Sequence, residues 1–183
     1  MTTRRIKKIA VLGSGVMGSR LACHFANAGI KVILLDIVTP GLSEEMAKNK
    51  QARNQLVNQS LQNTIKSKPA PLMHTNFAGR IETGNLEDDL ALLKNCDWVL
   101  EVVVERLDIK KQLFEKIEPY IKPGAIVSSN TSGIPIRFMT EGRGENFKKN
   151  FVGTHFFNPP RYLRLLEIIP TADTDPEIVN FLM

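Results

Sequence analysis

The chain has 183 residues, of which 43% are hydrophobic and 23% are charged. This length indicates one domain, or one domain with a small addition, and this composition is typical of a globular protein with a full core. No apolar run reaches about 18 residues, so no membrane-spanning helix is predicted. The basic start is followed only by a short apolar run, which excludes the core of a signal peptide and makes the cytoplasm the expected location.

The formal net charge of +5 and the pI of about 9.3 raise the question of an anionic partner. Lysines and arginines are scattered without interleaved aromatic residues, so nucleic acid is not a predicted partner. An anionic small molecule, such as a nucleotide or coenzyme A, would explain the charge equally well, and so would an ordinary charged surface. The two cysteines, Cys23 and Cys96, have no metal-ligand spacing and are interpreted as buried thiols, so no metal site is predicted.

The first predicted elements are a strand, a tight turn and a helix. Residues 9–12 are apolar, three glycines follow at the spacing GxGxxG, and apolar residues then recur at helical spacing. In a dinucleotide site Gly13 permits the sharp turn, Gly15 lets a phosphate approach the backbone, and Gly18 lets the helix pack against the strand. The N-terminus of that helix presents free N–H groups to a pyrophosphate.

The second apolar run, residues 32–35, ends at Asp36. A carboxylate at the end of the second strand accepts hydrogen bonds from both ribose hydroxyls of an adenosine and repels the additional phosphate of NADP. Asp36 therefore favours NAD as the cofactor. The alternative is a glycine-rich turn in an α/β fold that binds no nucleotide.

A long polar stretch, residues 43–67, is predicted to form one helix that ends at the sequence KPAP. A helix this polar is not buried all round, so it is expected to pack by a narrow stripe of Leu56, Leu61 and Ile65. An ordinary unit of such a fold returns directly to the sheet. The additional length therefore predicts an excursion that contacts a substrate.

The remaining elements alternate between strands and helices. Strands are predicted at residues 80–84, 98–104, 125–129, 151–157 and 163–169. Helices are predicted at residues 86–94 with Asn85 as N-cap, at 107–120, at 135–139 and from Pro176 onward, with a polar loop at 141–149. This order predicts an α/β fold of the Rossmann type, a doubly wound and mostly parallel sheet with helices on both faces.

Two polar residues interrupt the last two apolar runs. His155 lies near the end of one run, and Glu167 lies within the other, where a lone carboxylate must be paired or solvated. If the two runs pair as antiparallel strands, residues 155 and 167 lie opposite each other. A neutral imidazole is the usual base for a hydroxyl proton, and a carboxylate on its second nitrogen fixes the tautomer. A core histidine with one hydrogen bond and an edge-strand glutamate facing water are the alternatives.

These residues and spacings resemble the NAD-binding domain of the 3-hydroxyacyl-CoA dehydrogenases over essentially the whole chain. The resemblance rests on GSGVMG, Asp36, VVVERLDIKK, SSNTSG and HFFNPPRYLRLLEII, and the combination of SNTS with HFFNP is its most specific part. The long stretch that ends in KPAP and the later GNLEDD segment look most like the large fused bacterial enzymes, which join this dehydrogenase to an enoyl-CoA hydratase region.

The resemblance implies a role for each matching residue. His155 matches the catalytic base, and Glu167 matches the acid that is paired with it. Ser132 matches the residue that hydrogen-bonds the substrate oxygen beside the nicotinamide, and Asn158 matches a residue at the nicotinamide end of the site. The implied cofactor-binding positions are Gly13, Gly15, Val16, Met17, Gly18, Asp36, Glu105, Lys110, Ser132 and Asn158.

The function that the resemblance implies is NAD-dependent oxidation of (S)-3-hydroxyacyl-CoA to 3-oxoacyl-CoA in fatty acid β-oxidation. Residues 1–183 would be the NAD-binding domain, cut within its last helix, and this fragment alone is expected to be inactive or nearly so. A helical C-terminal domain and a possible hydratase domain are expected in the same protein, which is expected to be a homo-oligomer. The alternatives are a short-chain 3-hydroxybutyryl-CoA dehydrogenase and a dinucleotide-binding module without catalysis.

Overall fold

The computed structural model describes residues 4–183, and this part of the chain contains one seven-stranded sheet. The strands are β1 Lys8–Leu12, β2 Lys31–Asp36, β3 Ile81–Asn85, β4 Trp98–Glu101, β5 Ile126–Ser129, β6 Phe151–Phe156 and β7 Leu166–Pro170. Their order is β3-β2-β1-β4-β5-β6-β7, and every neighbouring pair is parallel except β6 and β7. The predicted doubly wound, mostly parallel sheet is confirmed.

Helices cover both faces of the sheet, as predicted. They are α1 Val16–Asn27, α2 Lys50–Arg53, α3 Gln55–Ile65, α4 Leu107–Ile117, α5 Glu145–Lys149 and α6 Pro176–Leu182. Because side chains alternate along a strand, β1 contributes to a separate core on each face. Ile9 and Val11 pack in the core that includes residues of α1, α3 and α6, whereas Ala10 and Leu12 pack in the core that includes residues of α4 and α5.

The polar stretch predicted as one helix is divided into shorter pieces. A 3-10 turn at Met46–Lys48 precedes α2, and the side chain of Asn49 accepts hydrogen bonds from two backbone N–H groups at the start of α2. Asparagine favours such caps over helix interiors, which explains why the helix is interrupted. The residues that α3 buries are Val57 and Leu61. Leu61 is therefore buried as predicted, whereas Val57 is buried in place of the predicted Leu56.

Two further predictions about local structure were wrong. The segment predicted as helix 86–94 forms a turn and then a 3-10 helix at Leu90–Asn95. Asn85 caps this turn instead of an α-helix: its Oδ1 accepts from the N–H groups of Glu87 and Asp88, while Asp89 accepts from the N–H of Asn85. The predicted polar loop at 141–149 contains α5, which buries Phe147 in the core.

The position of β1 determines where a ligand binds. The chain continues from β1 to β2 on one side and reaches β4 on the other side, so the carboxyl ends of β1 and β4 border a crevice. The polar segments named above follow or end these strands and their neighbours: Gly13, Asp36, Glu105, Ser132 and His155. The fold therefore brings the residues with predicted chemical roles to one edge of the sheet.

Candidate active site

The glycine-rich loop has the geometry that its sequence predicts. Gly13 has a φ of 104°, and a Cβ on this residue would lie 2.7 Å from the carbonyl oxygen of Val102. A Cβ on Gly18 would lie 1.8 Å from the carbonyl oxygen of Gly13, so only glycine lets α1 begin this close to β1. A Cβ on Gly15 would have nothing within 4 Å, so the loop is open where a phosphate is expected to approach.

The N-terminus of α1 fits an anionic ligand. Its N-cap is Gly15, none of the described residues caps it with a side chain, and its first turn contains no acidic residue. A helix leaves its first N–H groups without acceptors inside the helix, so the backbone of Val16 and Met17 is available to a pyrophosphate. The open loop and the uncapped helix end together fit a dinucleotide such as NAD.

Asp36 is held by the same loop. Its Oδ2 accepts hydrogen bonds from the backbone N–H of Ser14 at 2.6 Å and from the hydroxyl of Ser14 at 2.5 Å. Its Oδ1 accepts from the N–H of Ile37 at 2.7 Å. A carboxylate offers about four acceptor positions, so one remains for a ribose hydroxyl, whereas the sequence predicted bonds from both ribose hydroxyls. Sequence reasoning missed Ser14, because a serine between two glycines gives no signal of its own.

A cavity of about 490 Å³ lies beside Asp36. Gly13 and Gly15 form part of its wall, together with the apolar side chains of Ile37 and Val104, which are 55% and 60% exposed. Exposed apolar side chains at the wall of a pocket suit a flat ring system such as adenine. This cavity therefore fits the adenosine half of NAD, and we refer to it as the adenosine cavity.

A second cavity, of about 420 Å³, brings together the residues with predicted chemical roles. Its wall includes Met17, Glu105, Ser132, His155 and Asn158. The wall also includes Phe157, whose ring centroid lies 4.4 Å from that of His155, a contact that sequence reasoning missed. We refer to this space as the catalytic cavity.

His155 and Glu167 lie opposite each other in the antiparallel pair of β6 and β7, which confirms the predicted pairing of the two strands. His155 Nδ1 lies 2.8 Å from Glu167 Oε2. Because an ionised carboxylate only accepts hydrogen bonds, Nδ1 carries the proton of a neutral ring and Nε2 is the basic nitrogen. The two side chains are 20% and 50% exposed, so the pair is accessible from solvent.

Glu105 holds the loop that carries Ser132. Its Oε1 accepts hydrogen bonds from the hydroxyl of Thr131, from the N–H of Ser132 at 3.0 Å and from the N–H of Gly133 at 3.1 Å. Partial burial acts to raise the pKa of Glu105, but these hydrogen bonds and the charge of Lys110 outweigh it and lower the pKa to about 2. Glu105 is therefore ionised at neutral pH and orders this loop.

Lys110 lies beneath Glu105 and does not reach the wall of either cavity. Its side chain is 1% exposed, and its Nζ lies 2.7 Å from Glu101 Oε1 and 3.3 Å from Glu105 Oε2. Glu101 is fully buried and also accepts hydrogen bonds from the hydroxyl of Ser129 and the N–H of Val103. Burial raises the pKa of Glu101, and the ammonium group of Lys110 opposes this effect. Sequence reasoning missed Glu101, because it lies within an apolar run. The cofactor contact of Lys110 stays a prediction.

Within residues 4–183, no group of three or more His, Cys, Asp or Glu side chains is arranged to bind a metal ion. In the same range, every helix is too short or too polar to cross a membrane. Cys23 and Cys96 are free and buried, as predicted, and burial raises the pKa of their thiols to about 12 and about 11.

Comparisons with known proteins agree with this arrangement. A family model described as "3-hydroxyacyl-CoA dehydrogenase, NAD binding domain" matches residues 8–183. The chain is 53% identical over 176 residues to a "Probable 3-hydroxyacyl-CoA dehydrogenase" of Deinococcus radiodurans. The aligned region covers 96% of this chain and 49% of that protein. The chain is also 49% identical over 175 residues to a "Putative fatty acid oxidation complex trifunctional enzyme" of Rickettsia felis. The aligned region covers 96% of this chain and 23% of that protein.

A solved structure of a dehydrogenase has a similar fold. The dehydrogenase part of multifunctional enzyme 1 from C. elegans matches 97% of this chain with a TM-score of 0.72 and 26% identity, over 38% of that protein's chain. The chain thus spans about half or less of the length of each of these three proteins. The family match to an NAD-binding domain confirms NAD as the cofactor predicted from Asp36. The chain belongs to the 3-hydroxyacyl-CoA dehydrogenase family and matches the NAD-binding domain of that family.

Proposed function

We propose that the protein containing this chain oxidises (S)-3-hydroxyacyl-CoA to 3-oxoacyl-CoA with NAD, in fatty acid β-oxidation. The observation that carries the proposal is the 2.8 Å contact between His155 Nδ1 and Glu167 Oε2, in which His155 lines a cavity shared with Ser132. The names of the relatives support an acyl-CoA substrate, and the name of the R. felis protein supports fatty acid oxidation.

In this reaction His155 removes the proton of the substrate hydroxyl. Because Glu167 accepts the hydrogen bond of Nδ1–H, Nε2 of the neutral ring takes the proton from the oxygen on C3. The carboxylate of Glu167, 2.8 Å from Nδ1, then stabilises the imidazolium that has formed. When bound, NAD supplies the acceptor for the hydride that leaves C3.

Ser132 and Asn158 orient the reacting groups. The hydroxyl of Ser132 donates a hydrogen bond to the substrate oxygen, and the Ser132 loop is held by Glu105 through two backbone N–H groups. Asn158 lines the same cavity, and we assign it to the nicotinamide end of the site. Fixed positions of this kind lower the barrier by holding the reactants in the geometry of the reaction.

The test is NAD reduction by the full-length protein with a 3-hydroxyacyl-CoA. His155→Gln and Glu167→Ala are each expected to lower turnover on the order of a hundredfold or more, because the base or its partner is lost. Glu44→Gln, an exposed carboxylate without a role in the site, is the control and is expected to keep turnover. Near-normal turnover in both site variants would contradict the proposal, and binding of NAD without turnover by the unmodified protein would favour a non-catalytic dinucleotide-binding module.

Chain length, fused domains and location belong to the same proposal. Turnover of short and long 3-hydroxyacyl-CoA substrates separates a short-chain 3-hydroxybutyryl-CoA dehydrogenase from an enzyme of wider range. The trifunctional name of the R. felis relative supports further domains in the same protein. We propose that these are a helical C-terminal domain and a hydratase region. Sedimentation of the full-length protein tests the expected homo-oligomer, and cell fractionation tests the expected cytoplasmic location.

A further inference from the structure

The backbone pairing of β5 with β6 stops before the catalytic end of β6. The last backbone pair between these two strands is Ser129 with Gly153. β6 continues through His155 to Phe156, and over these residues it is paired with β7 on its other side. His155 therefore lies beyond the ladder that joins β6 to the parallel strands of the sheet.

The side chain of Asn130 continues the connection where this ladder ends. Its Oδ1 accepts a hydrogen bond from the backbone N–H of Phe156 at 2.9 Å. Because the partner is a donor, this contact determines which atom of the amide faces β6. The side-chain oxygen takes the place of a strand carbonyl, and it supplies the acceptor that the N–H of Phe156 needs after β5 has ended at Ser129.

The backbone of Asn130 is fixed on the opposite side. Its N–H donates a hydrogen bond to the carbonyl oxygen of Glu101, the last residue of β4, at 2.9 Å. Asn130 is thus bonded to β4 through its backbone and to β6 through its side chain. This residue therefore connects three neighbouring strand ends at the edge of the sheet where the catalytic cavity lies.

Asn130 links the two groups that act on the substrate oxygen in the proposed reaction. Ser132 follows it by two residues along the chain. His155 directly precedes Phe156, the hydrogen-bond partner of Asn130. Asn130 itself lines the catalytic cavity together with Ser132 and His155. The single hydrogen bond from Phe156 is therefore a short connection between the loop of the serine hydroxyl and the strand of the base.

We propose that Asn130 is a positioning residue for the oxidation of the 3-hydroxyacyl substrate: by holding the N–H of Phe156, it sets the position of the His155 imidazole relative to the Ser132 hydroxyl. Both groups act on the same substrate oxygen, because the base takes its proton while the serine donates a hydrogen bond to it. A displacement of about 1 Å between such groups is enough to slow a reaction on the order of a hundredfold. This inference rests on the proposed function, which assigns the two groups to that oxygen.

Three substitutions separate this role from a structural one. Asn130→Ala removes the acceptor for the N–H of Phe156, whereas Asn130→Asp keeps an oxygen in the place of Oδ1 and loses the amide nitrogen. Thr154→Val is the matched control, because the hydroxyl of Thr154 donates to that of Ser128 at 2.8 Å and forms another side-chain bond between β5 and β6. Thr154 and Ser128 are fully buried and lie outside the wall of the catalytic cavity. The control therefore weakens the same pair of strands without reaching the reacting groups.

The measurement is the single-turnover rate of NADH oxidation by the full-length protein with a saturating 3-oxoacyl-CoA, which reports the chemical step without product release. Asn130→Ala is expected to lower this rate by about tenfold or more, while KM for NADH and for the 3-oxoacyl-CoA changes by less than about threefold. Asn130→Asp is expected to keep most of the rate when each variant is compared at its own pH optimum, because the new carboxylate adds a charge beside the cavity.

Two further readouts separate positioning from stability. Thr154→Val is expected to keep the single-turnover rate, although it unfolds at a lower urea concentration because a buried hydrogen bond is lost. The backbone amide of Phe156 is expected to exchange hydrogen faster in Asn130→Ala, because its acceptor is gone.

An unchanged rate in Asn130→Ala would overturn the positioning role, and so would equal losses in Asn130→Ala and Thr154→Val. A loss in Asn130→Asp as large as that in Asn130→Ala would also overturn it, because the amide nitrogen would then be the group that matters. Absence of turnover by the unmodified protein would contradict the proposed function and this role with it, whereas exchange of the Phe156 amide reports on the hydrogen bond alone. If circular dichroism shows that Asn130→Ala is unfolded, Asn130→Ser, whose hydroxyl is one bond shorter than the amide, carries the same comparison.

Discussion

Ser14 donates both its backbone N–H and its hydroxyl to one oxygen of Asp36, at 2.6 Å and 2.5 Å. The glycine-rich loop and the end of β2 are thus joined directly, and the carboxylate is fixed at the wall of the adenosine cavity. The carboxylate that we expect to repel the additional phosphate of NADP is therefore held by the same loop that we expect to receive the pyrophosphate. We predict that cofactor choice depends on this pair of residues and not on Asp36 alone.

Replacing Asp36 is expected to change the choice of cofactor. Asp36→Ala removes the charge that repels a phosphate and frees both donors of Ser14, so the Kd for NAD should rise about tenfold or more while the Kd for NADP falls. Calorimetric titration with NAD and with NADP measures the ratio of the two Kd values. Glu87→Gln removes a different carboxylate from the wall of the same cavity and should leave the ratio nearly unchanged. A constant ratio in Asp36→Ala would show that Asp36 does not select the cofactor.

Glu167→Gln is expected to impair the reaction while leaving the fold intact. The amide can donate to Nδ1 of His155, which favours the tautomer with the proton on Nε2 and so removes the basic nitrogen. Turnover of the full-length protein should fall on the order of a hundredfold or more. The pair is 20% and 50% exposed, so the free energy of unfolding should change by less than about 1 kcal/mol. Loss of stability that parallels the loss of turnover would point to a structural role only.

The low pKa of Glu105 predicts a specific dependence of stability on pH. Its pKa in the folded protein is about 2, below the ordinary value of 4.5, so the folded state binds fewer protons than the unfolded state between these values. The stabilisation is complete above about pH 4.5 and is lost as the pH falls towards about 2. Because the side chain is 42% exposed, we expect Glu105→Gln to cost only about 1 kcal/mol at neutral pH and progressively less in acid. Urea unfolding at several pH values measures the difference in the free energy of unfolding between Glu105→Gln and the unmodified protein, with Glu145→Gln as the exposed control. A difference that does not change with pH would contradict the predicted contribution of Glu105.

The buried pair of Lys110 and Glu101 predicts an asymmetric response to substitution. Lys110→Met leaves the fully buried carboxylate of Glu101 without its ammonium partner and is expected to destabilise the protein by about 3–5 kcal/mol. The double variant Lys110→Met with Glu101→Leu should recover much of this loss, because no buried charge remains. Lys116→Met breaks an exposed ion pair with Glu87 and should cost less than about 1 kcal/mol. A double variant less stable than Lys110→Met alone would contradict this account.

The sequence was sufficient for those parts of the site that depend on local pattern. Gly13, Gly18 and Asp36 were predictable because a parallel strand, a tight turn and a helix place them by spacing alone. The contact of His155 with Glu167 was predictable because a polar residue near the end of one apolar run meets a polar residue within the next run when the two runs pair in antiparallel fashion.

Contacts that depend on tertiary packing were not predictable in this way. Arg161 binds backbone carbonyls 91 and 89 residues away, and a carbonyl acceptor has no signature in the sequence. Glu101 lies in an apolar strand, where the approach of Lys110 from α4 and the hydrogen bonds from Ser129 and Val103 explain a carboxylate. The division of the stretch 43–67 was missed because asparagine caps and polar helix positions have the same composition.

The antiparallel pairing of β6 and β7 makes the His–Glu contact sensitive to insertions and deletions as well as to substitutions. His155 and Glu167 are separated by 12 positions, and the intervening loop sets the register of the two strands. A slip of one residue would place Leu166 or Ile168 opposite His155 and turn Glu167 to the other face of the sheet. The length of this loop is therefore under the same constraint as the two side chains, and a single-residue deletion there should abolish the contact while both residues are still present.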